Sequence, residues 1–316
     1  MRVIVIGDAM LDTYLWGKVE RLSPEAPVPI VSVTKRENRL GGAANVSRNI
    51  QSLGATPVLF SVIGDDDNGK EFISLLQKGD LNSAGIFVDK ERNTTVKNRI
   101  ISSGKQIVRV DEESTGFISE EMEQKLIAAI LEELEKNVVD VIVFVDYDKG
   151  IITPKLFDAI NKVALEKNIP TAVDPKKRNF WHYKNVSLFK PNFKEFVEGL
   201  GKPIAKDDLE RIKINADQFK KQQNLKLIFI TLSELGVFIS NGIKEQYYPV
   251  AIRDIADVSG AGDTVISVAS LAMAAGLSPK MMALMSNMAG GLVCEKVGVV
   301  PVDMEQLKKE MKSGKF

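Results

Sequence analysis

The chain has 316 residues, and its 42 Lys and Arg residues balance its 42 Asp and Glu residues, so the formal net charge at pH 7 is zero. This balance argues against binding to nucleic acid or to a membrane through bulk charge. Cys294 is the only cysteine and His182 the only histidine, which excludes an internal disulfide and argues against a zinc site or a Ser–His or Cys–His catalytic pair.

Short runs of β-branched residues alternate with helical patterns along most of the chain. The first run follows Met1 without the layout of a signal peptide, and the longest apolar stretch is too short to span a bilayer, so we expect a cytoplasmic protein. Strands are predicted at Val3–Ile6, Val58–Ile63, Val139–Asp146, Thr171–Asp174, Val186–Lys190 and Leu227–Thr231. Helices are predicted at Gly42–Leu53 and Ser119–Lys136 and from Thr153 onward. The alternation predicts an α/β fold with a mostly parallel sheet and helices on both faces.

Two segments, at about 13–36 and 94–111, carry strand patterns without intervening helices. The second contains Ser103-Gly104 at a predicted turn, with alternating side chains on either side. We therefore expect a small antiparallel sheet attached to the main domain as a lid. Because exposed edge strands are commonly covered by a partner, we also expect a homodimer formed through this lid.

Two glycine motifs resemble nucleotide-binding loops without meeting their requirements. The segment from Gly64 to Lys70 has the spacing of a P-loop, but Glu71 stands where Ser or Thr should hold magnesium. Three successive aspartates in it would also repel phosphates, so we expect a turn that leads into an acidic helix start. The first strand is followed by Gly7-Asp8-Ala9-Met10, which lacks the glycine pattern of a Rossmann dinucleotide site.

The strongest chemical signal is Asp257-Val-Ser-Gly260-Ala-Gly262-Asp263-Thr264, which precedes an apolar helical run. Glycines at a helix start let the backbone N–H groups of Gly260, Ala261 and Gly262 approach an anion, which the helix dipole also favours. Asp263 lies in the first turn, where a carboxylate could hold an attacking hydroxyl beside a transferring phosphoryl group. We expect the dipole to keep Asp263 ionised and to make it a weak base, which can still position the hydroxyl. On spacing alone, an ordinary capped helix explains the same residues.

Two segments together carry a family resemblance. Gly41-Gly42-Ala-Ala-Asn45 and Gly260-Ala-Gly-Asp263 resemble the paired signatures of ribokinase-type (PfkB) sugar kinases, and the likeness covers essentially the whole chain. Within that family, the segment from Arg21 to Pro29 resembles bacterial kinases of D-glycero-β-D-manno-heptose 7-phosphate. The resemblance implies a single ribokinase-like domain over residues 1–316, with a doubly wound α/β sandwich and a β lid over the sugar. It implies ATP as phosphoryl donor and Asp263 as the residue that accepts the hydroxyl proton.

The resemblance also assigns sugar-binding roles near the amino terminus. Asp12 would accept hydrogen bonds from sugar hydroxyls, Gly41 and Gly42 would let the backbone approach the sugar, and Asn45 would both donate to it and accept from it. The structural alternatives are a turn-capping aspartate at position 12 and, at position 45, an asparagine bonded to its own backbone.

A second set of residues would bind the nucleotide. Asn192, Phe193, Lys194 and Glu195 match the family's Asn-x-x-Glu element, which is associated with magnesium and the ATP phosphates, and Glu195 would hold Mg²⁺ indirectly through water. The alternative is an ordinary capping box. The loop from Thr231 to Gly236 would border the nucleotide, and Asn287 would line the adenine pocket. The resemblance also allows for a monovalent cation.

A phosphorylated sugar would need positive charge on the lid. Lys97 and Arg99 share one face by period two, and beyond the turn Lys105, Arg109 and Asp111 are predicted to share another. Converging Lys97, Arg99 and Arg109 side chains would form a clamp for the substrate's own phosphate. The alternative is a solvated hairpin face that is basic for solubility.

Other features leave alternatives open. Asp148 stands where these kinases usually have a small residue, so the acceptor could instead be a pentose, a ketohexose, another phosphosugar or a nucleoside. A non-catalytic nucleotide- or sugar-binding regulator is the alternative from another class. Many heptose kinases are fused to a nucleotidyltransferase domain with a His-x-Gly-His motif, and we expect this chain to lack that second activity.

Overall fold

A large twisted sheet forms the centre of the protein in the computed structural model, which describes residues 1–242, 245–249 and 253–313. The strands are β1 (Arg2–Gly7), β2 (Ala9–Leu22), β3 (Pro29–Gly42), β4 (Thr56–Gly64), β5 (Ile86–Asp89), β6 (Val96–Ser102), β7 (Lys105–Glu112), β8 (Val141–Val145), β9 (Thr171–Asp174), β10 (Leu188–Phe189), β11 (Leu227–Thr231), β12 (Val237–Ser240) and β13 (Glu245–Tyr248). The helices are α1 (Ala43–Ser52), α2 (Asp67–Lys78), α3 (Glu120–Lys136), α4 (Pro154–Glu166), α5 (Phe193–Leu200), α6 (Leu209–Gln222), α7 (Ala261–Ala274), α8 (Pro279–Cys294) and α9 (Met304–Ser313).

The strand order of the large sheet is β13-β12-β11-β10-β9-β8-β1-β4-β5 among the described residues. Neighbours from β11 to β5 run parallel, whereas β12 and β13 add an antiparallel edge. All six predicted strands are present, and the mostly parallel α/β prediction is confirmed. Parallel strands with covered faces read as continuous apolar runs, which is why these six were visible in the sequence.

Each face of the large sheet packs against its own layer of helices. On one face, Ile4 and Phe144 join the buried side chains of α3, α4 and α6. On the other, Val3 and Val143 join those of α1 and α7. No helix in the described parts of the chain is long and apolar enough to cross a membrane.

The lid is a second sheet with strand order β3-β2-β6-β7. Its two hairpins are antiparallel, and β2 and β6 run parallel where the hairpins meet. The lid strands extend beyond the predicted segments, because β2 begins at Ala9 and β3 continues to Gly42, directly before α1. The lid therefore connects directly to the start of α1, which carries Asn45.

Three helices begin at the capping residues that the sequence indicates. Thr153 caps α4 and Ser119 caps α3, each by accepting a backbone N–H from the first turn. Asp66 caps α2 by accepting the N–H of Gly69, so the P-loop-like segment is a capped turn. This Asp66 carboxylate also accepts the N–H of Thr94 and thereby joins α2 to the segment before β6.

Candidate active site

Helix α7 starts after Gly260, and any other residue at this position would be strained. Gly260 has φ of 80°, in the left-handed region, and a Cβ there would lie 2.9 Å from the Asn45 Nδ2 atom. No side chain caps this helix start, so its first amide groups remain donors without an intrahelical partner. The Ala261 N–H donates to the Val258 carbonyl at 3.3 Å, and the helix start as a whole has the geometry of the anion-binding element that the sequence predicts.

Asp263 lies within this first turn and is only 2% exposed. Its Oδ2 atom accepts a hydrogen bond from Asn45 Nδ2 at 2.7 Å, and its Oδ1 atom accepts one from the Tyr147 hydroxyl at 2.6 Å. Burial raises the pKa of Asp263 above its ordinary value, and these two hydrogen bonds oppose the rise. The raised pKa makes the carboxylate a stronger base than an exposed aspartate, whereas the sequence led us to expect a weak base.

Tyr147 is a site residue that the sequence reasoning did not select. It lies just after β8, and the buried Asp8 carboxylate holds its loop by accepting N–H groups from Tyr147, Lys149 and Ile151. The available signal was positional, because polar residues at the carboxyl end of a central parallel strand lie where such sheets bind ligands. Tyr147 and Asp263 are 116 residues apart in the sequence, so the sequence alone does not indicate their contact.

The predicted sugar-binding residues lie on the lid side of Asp263. Asp12 is buried in β2, so it does not cap a turn, and its carboxylate forms an ion pair with Arg99. A Cβ at Gly41 would overlap the Asp12 carboxylate, which explains the glycine at this position. Gly42 has φ of 57° and allows the chain to turn into α1. Asn45 directs its amide to Asp263 and not to its own backbone.

Three of the predicted nucleotide-binding residues, Asn192, Glu195 and Thr231, lie together just beyond β10 and at the end of β11. Asn192 forms a parallel bridge with Thr231, and it also caps α5 in a complete capping box with Glu195. The capping-box alternative is thus present in the structure, although the Glu195 carboxylate also forms an ion pair with Lys176. Phe193 is half-buried in the first turn of α5.

Three further residues predicted to bind the nucleotide have other contacts in the structure. Lys194 is exposed and lies 3.8 Å from Glu198. Gly236 has φ of 96°, and a Cβ there would collide with the backbone of Tyr248. Asn287 donates a hydrogen bond to the carbonyl of Pro249 at 2.9 Å.

A cluster of two lysines and two carboxylates lies between these groups and α7. Lys190 Nζ lies 3.0 Å from Asp174 Oδ1. A Cβ on Gly262 would stand 3.9 Å from Lys190 Nζ and 4.0 Å from Asp174 Oδ2. Burial raises the pKa of the Asp174 carboxyl, and the Lys190 and Lys176 ammonium groups oppose the rise. Burial lowers the pKa of Lys176, but the Glu195 and Asp174 carboxylates outweigh it, so its pKa is raised.

Within the described residues, no three His, Cys, Asp or Glu side chains are arranged to hold a metal ion among themselves. The oxygen donors of Glu195 and Asp174 do suit magnesium, which prefers oxygen ligands and retains several waters. We therefore find the donor set compatible with a magnesium ion that is also bound by the phosphates of ATP.

The three cations of the predicted clamp, Lys97, Arg99 and Arg109, share one face of the lid sheet, and each has contacts of its own there. Lys97 Nζ lies 4.9 Å from the centre of the Tyr147 ring, and the Arg99 charge is balanced by Asp12. Arg109 pairs with Arg99 across the strands and shares its face, but it is half-exposed and bonded to Asp111. The prediction for Lys105 was wrong, because an extra residue between the paired positions 106 and 108 shifts the register and moves Lys105 to the opposite face.

Asp148 departs from the family pattern at a strained position. Its φ of 60° lies in the left-handed region, which explains why a glycine or another small residue suits this site. The carboxylate lies 3.5 Å from Arg178 Nε, so its charge is partly balanced by that guanidinium.

Comparisons with known proteins agree with this geometry. The model of the pfkB family of carbohydrate kinases matches residues 1–306. The bifunctional protein HldE of Sulfurimonas denitrificans is 38% identical over 310 residues, covering 98% of this chain and 64% of that protein. The HldE protein of Wolinella succinogenes is 39% identical over 296 residues, covering 94% and 61%. The chain thus spans slightly less than two thirds of the length of these relatives.

Solved structures share the fold at low sequence identity. Phosphofructokinase-2 from Escherichia coli in complex with potassium aligns with a TM-score of 0.81 and 17% identity, covering 98% of this chain and 97% of that one. Ribokinase from Arabidopsis thaliana complexed with ribose and ATP aligns with a TM-score of 0.75 and 16% identity, covering 98% of both chains. These similarities support the ribokinase-like α/β fold predicted from the sequence.

Proposed function

Because the chain belongs to the pfkB family of carbohydrate kinases, and is thus an ATP-dependent sugar kinase, we propose that its acceptor is D-glycero-β-D-manno-heptose 7-phosphate. The product would be the 1,7-bisphosphate, a precursor of ADP-heptose and the lipopolysaccharide core. The resemblance of Arg21–Pro29 to heptose kinases and the HldE names of the relatives support this acceptor. The observation that carries the kinase mechanism is the buried Asp263 carboxylate beside the amide groups of α7.

The reaction follows from this juxtaposition. The anomeric oxygen of the sugar bonds to the γ-phosphorus of ATP while the bond from that phosphorus to the bridging oxygen of ADP breaks. The hydroxyl proton passes to Asp263, whose raised pKa suits a base. The amide groups at the start of α7 stabilise charge on the transferring group. Magnesium bound with ATP would neutralise phosphate charge, and Glu195 and Asp174 are the residues suited to hold it.

An acceptor assay tests this proposal. Purified protein is given ATP and magnesium with heptose 7-phosphate, fructose 6-phosphate or ribose in parallel, and ADP release is measured. Potassium is included because a protein of this fold was solved with it. We expect the heptose phosphate to have by far the highest kcat/KM. Turnover of ribose alone would overturn the acceptor assignment and the phosphate clamp.

The substitution Asp263→Asn tests the role of the carboxylate. We expect kcat to fall by about 10³-fold or more, because the removed base also positions the hydroxyl, while ATP still binds. If the unsubstituted protein shows no turnover, the protein is a non-catalytic regulator. If the Asp263→Asn protein retains full turnover, Asp263 is not the base.

We also propose a homodimer formed through the lid. The lid face that points away from Asp12 carries Val19, Val33, Val108 and Val110, each at least 40% exposed. We call these four residues the outer lid face. An exposed apolar sheet face of this kind suits a second copy of the same surface.

A further inference from the structure

Lys176 occupies a position between the nucleotide-binding element and the candidate base. Its ammonium group forms an ion pair with Glu195, whose other carboxylate oxygen accepts the N–H of Asn192 at 2.7 Å. The same ammonium group lies 5.1 Å from the centre of the Tyr147 ring. Since the Tyr147 hydroxyl bonds Asp263, one aromatic ring separates Lys176 from the carboxylate that would receive the proton.

Lys176 and Lys190 differ in their freedom to exchange partners. The Lys190 side chain is 2% exposed and held by Asp174, whereas the Lys176 side chain is 29% exposed. Each of the two lysines of this cluster is paired with a carboxylate before any nucleotide is present. An incoming triphosphate brings excess negative charge, and a partly exposed lysine is the cation best able to turn toward it.

We propose that Lys176 leaves Glu195 when ATP binds and pairs with the γ-phosphoryl group, staying with it during transfer to the sugar. This inference rests on the proposed function, because it requires ATP to bind between α5 and α7. Lys176 makes and breaks no covalent bond. It neutralises charge on the phosphoryl oxygens while the proton of the acceptor passes to Asp263, and it leaves the Glu195 carboxylate to the metal that accompanies ATP.

The test compares a triphosphate with a diphosphate. Binding of magnesium–AMPPNP and of magnesium–ADP is measured by calorimetry for the unsubstituted protein, Lys176→Met and Lys177→Met. Lys177 is the exposed neighbour in the same loop, so its substitution is the matched control. We expect Lys176→Met to weaken AMPPNP binding about tenfold or more, as for the loss of a charge-assisted hydrogen bond, and to change ADP binding less than about twofold.

The control should bind both nucleotides as the unsubstituted protein does. ADP binding also reports whether Lys176→Met is folded. Two results would overturn the inference. If Lys176→Met weakens ADP binding and AMPPNP binding equally, Lys176 only orders Glu195. If AMPPNP binding is unchanged, Lys176 does not contact the γ-phosphoryl group. These measurements need no sugar, so a wrong acceptor in the proposed function would leave the conclusion about Lys176 intact.

Discussion

At the scale of single residues, the hydrogen bond from the Tyr147 hydroxyl lowers the pKa of Asp263, whereas burial raises it. Burial raises the pKa of Asp263, whereas the hydrogen bond from Tyr147 stabilises the ionised carboxylate. A general base works only when deprotonated, so activity should fall as the pH drops through this pKa. The substitution Tyr147→Phe should therefore move the acidic limb of the kcat/KM profile to higher pH, by about one unit for a lost hydrogen bond of about 1.4 kcal/mol.

The matched control for this prediction is Tyr183→Phe. Tyr183 is a phenol that, like Tyr147, donates to a buried carboxylate, but its partner is Asp146 and not Asp263. Its loss should reduce stability and leave the acidic limb in place. The prediction for Tyr147 is contradicted if both variants shift the limb equally or if neither does.

The sequence can identify a functional residue when its neighbours within one or two turns already show its role. Asp263 follows two glycines at a helix start, a pattern that has a chemical meaning within one turn. Tyr147 and Lys176 could not be found in this way, because their meaning depends on contacts with Asp263 and Glu195, which are distant in sequence. Sequence spacing carries no information on such contacts until the strand order is known.

At the scale of elements, Asp8 connects β1 to the loop that follows β8. Its carboxylate accepts three backbone N–H groups, at 2.7, 3.1 and 3.1 Å, and is almost fully buried. An asparagine has only one accepting oxygen, so Asp8→Asn should leave at least one N–H unpaired. We expect the free energy of unfolding to fall by about 1–3 kcal/mol in chemical denaturation, together with a loss of kcat.

A double-mutant cycle separates the two effects of Asp8. If Asp8 acts on catalysis by placing Tyr147, then Asp8→Asn should lower kcat much less in a Tyr147→Phe background than in the unsubstituted protein. Its effect on stability should be similar in both backgrounds. Fully additive losses of kcat would show that Asp8 acts through another group.

The elements that were predicted and those that were missed differ in their environment. The central strands β1 and β8 are covered on both faces and show continuous apolar runs. The missed strands β5 and β13 lie at the two edges of the sheet, and no side chain of β5 is fully buried. Lys105 was assigned to the wrong face because a bulge changes the period-two alternation without changing the composition of the strand.

At the scale of the whole molecule, the lid has one face toward the site and one toward solvent. The inner face carries the buried Asp12 and Arg99, whereas the outer lid face exposes valines on β2, β3 and β7. Two copies of such a sheet can pair around a twofold axis, so that each residue contacts the same surface of its partner. The arrangement would cover the apolar face without blocking the inner face.

The double substitution Val108→Lys and Val110→Lys tests this assembly. These side chains are 46% and 49% exposed, so the change should not disturb the core, but it would place four like charges in one interface of a dimer. We expect the unsubstituted protein to have the molar mass of a dimer by light scattering at micromolar concentration, and the variant that of a monomer. The control is Val138→Lys, because Val138 is 86% exposed and lies outside the lid. A monomeric unsubstituted protein, or a variant that stays dimeric, would show that the outer lid face is not the interface.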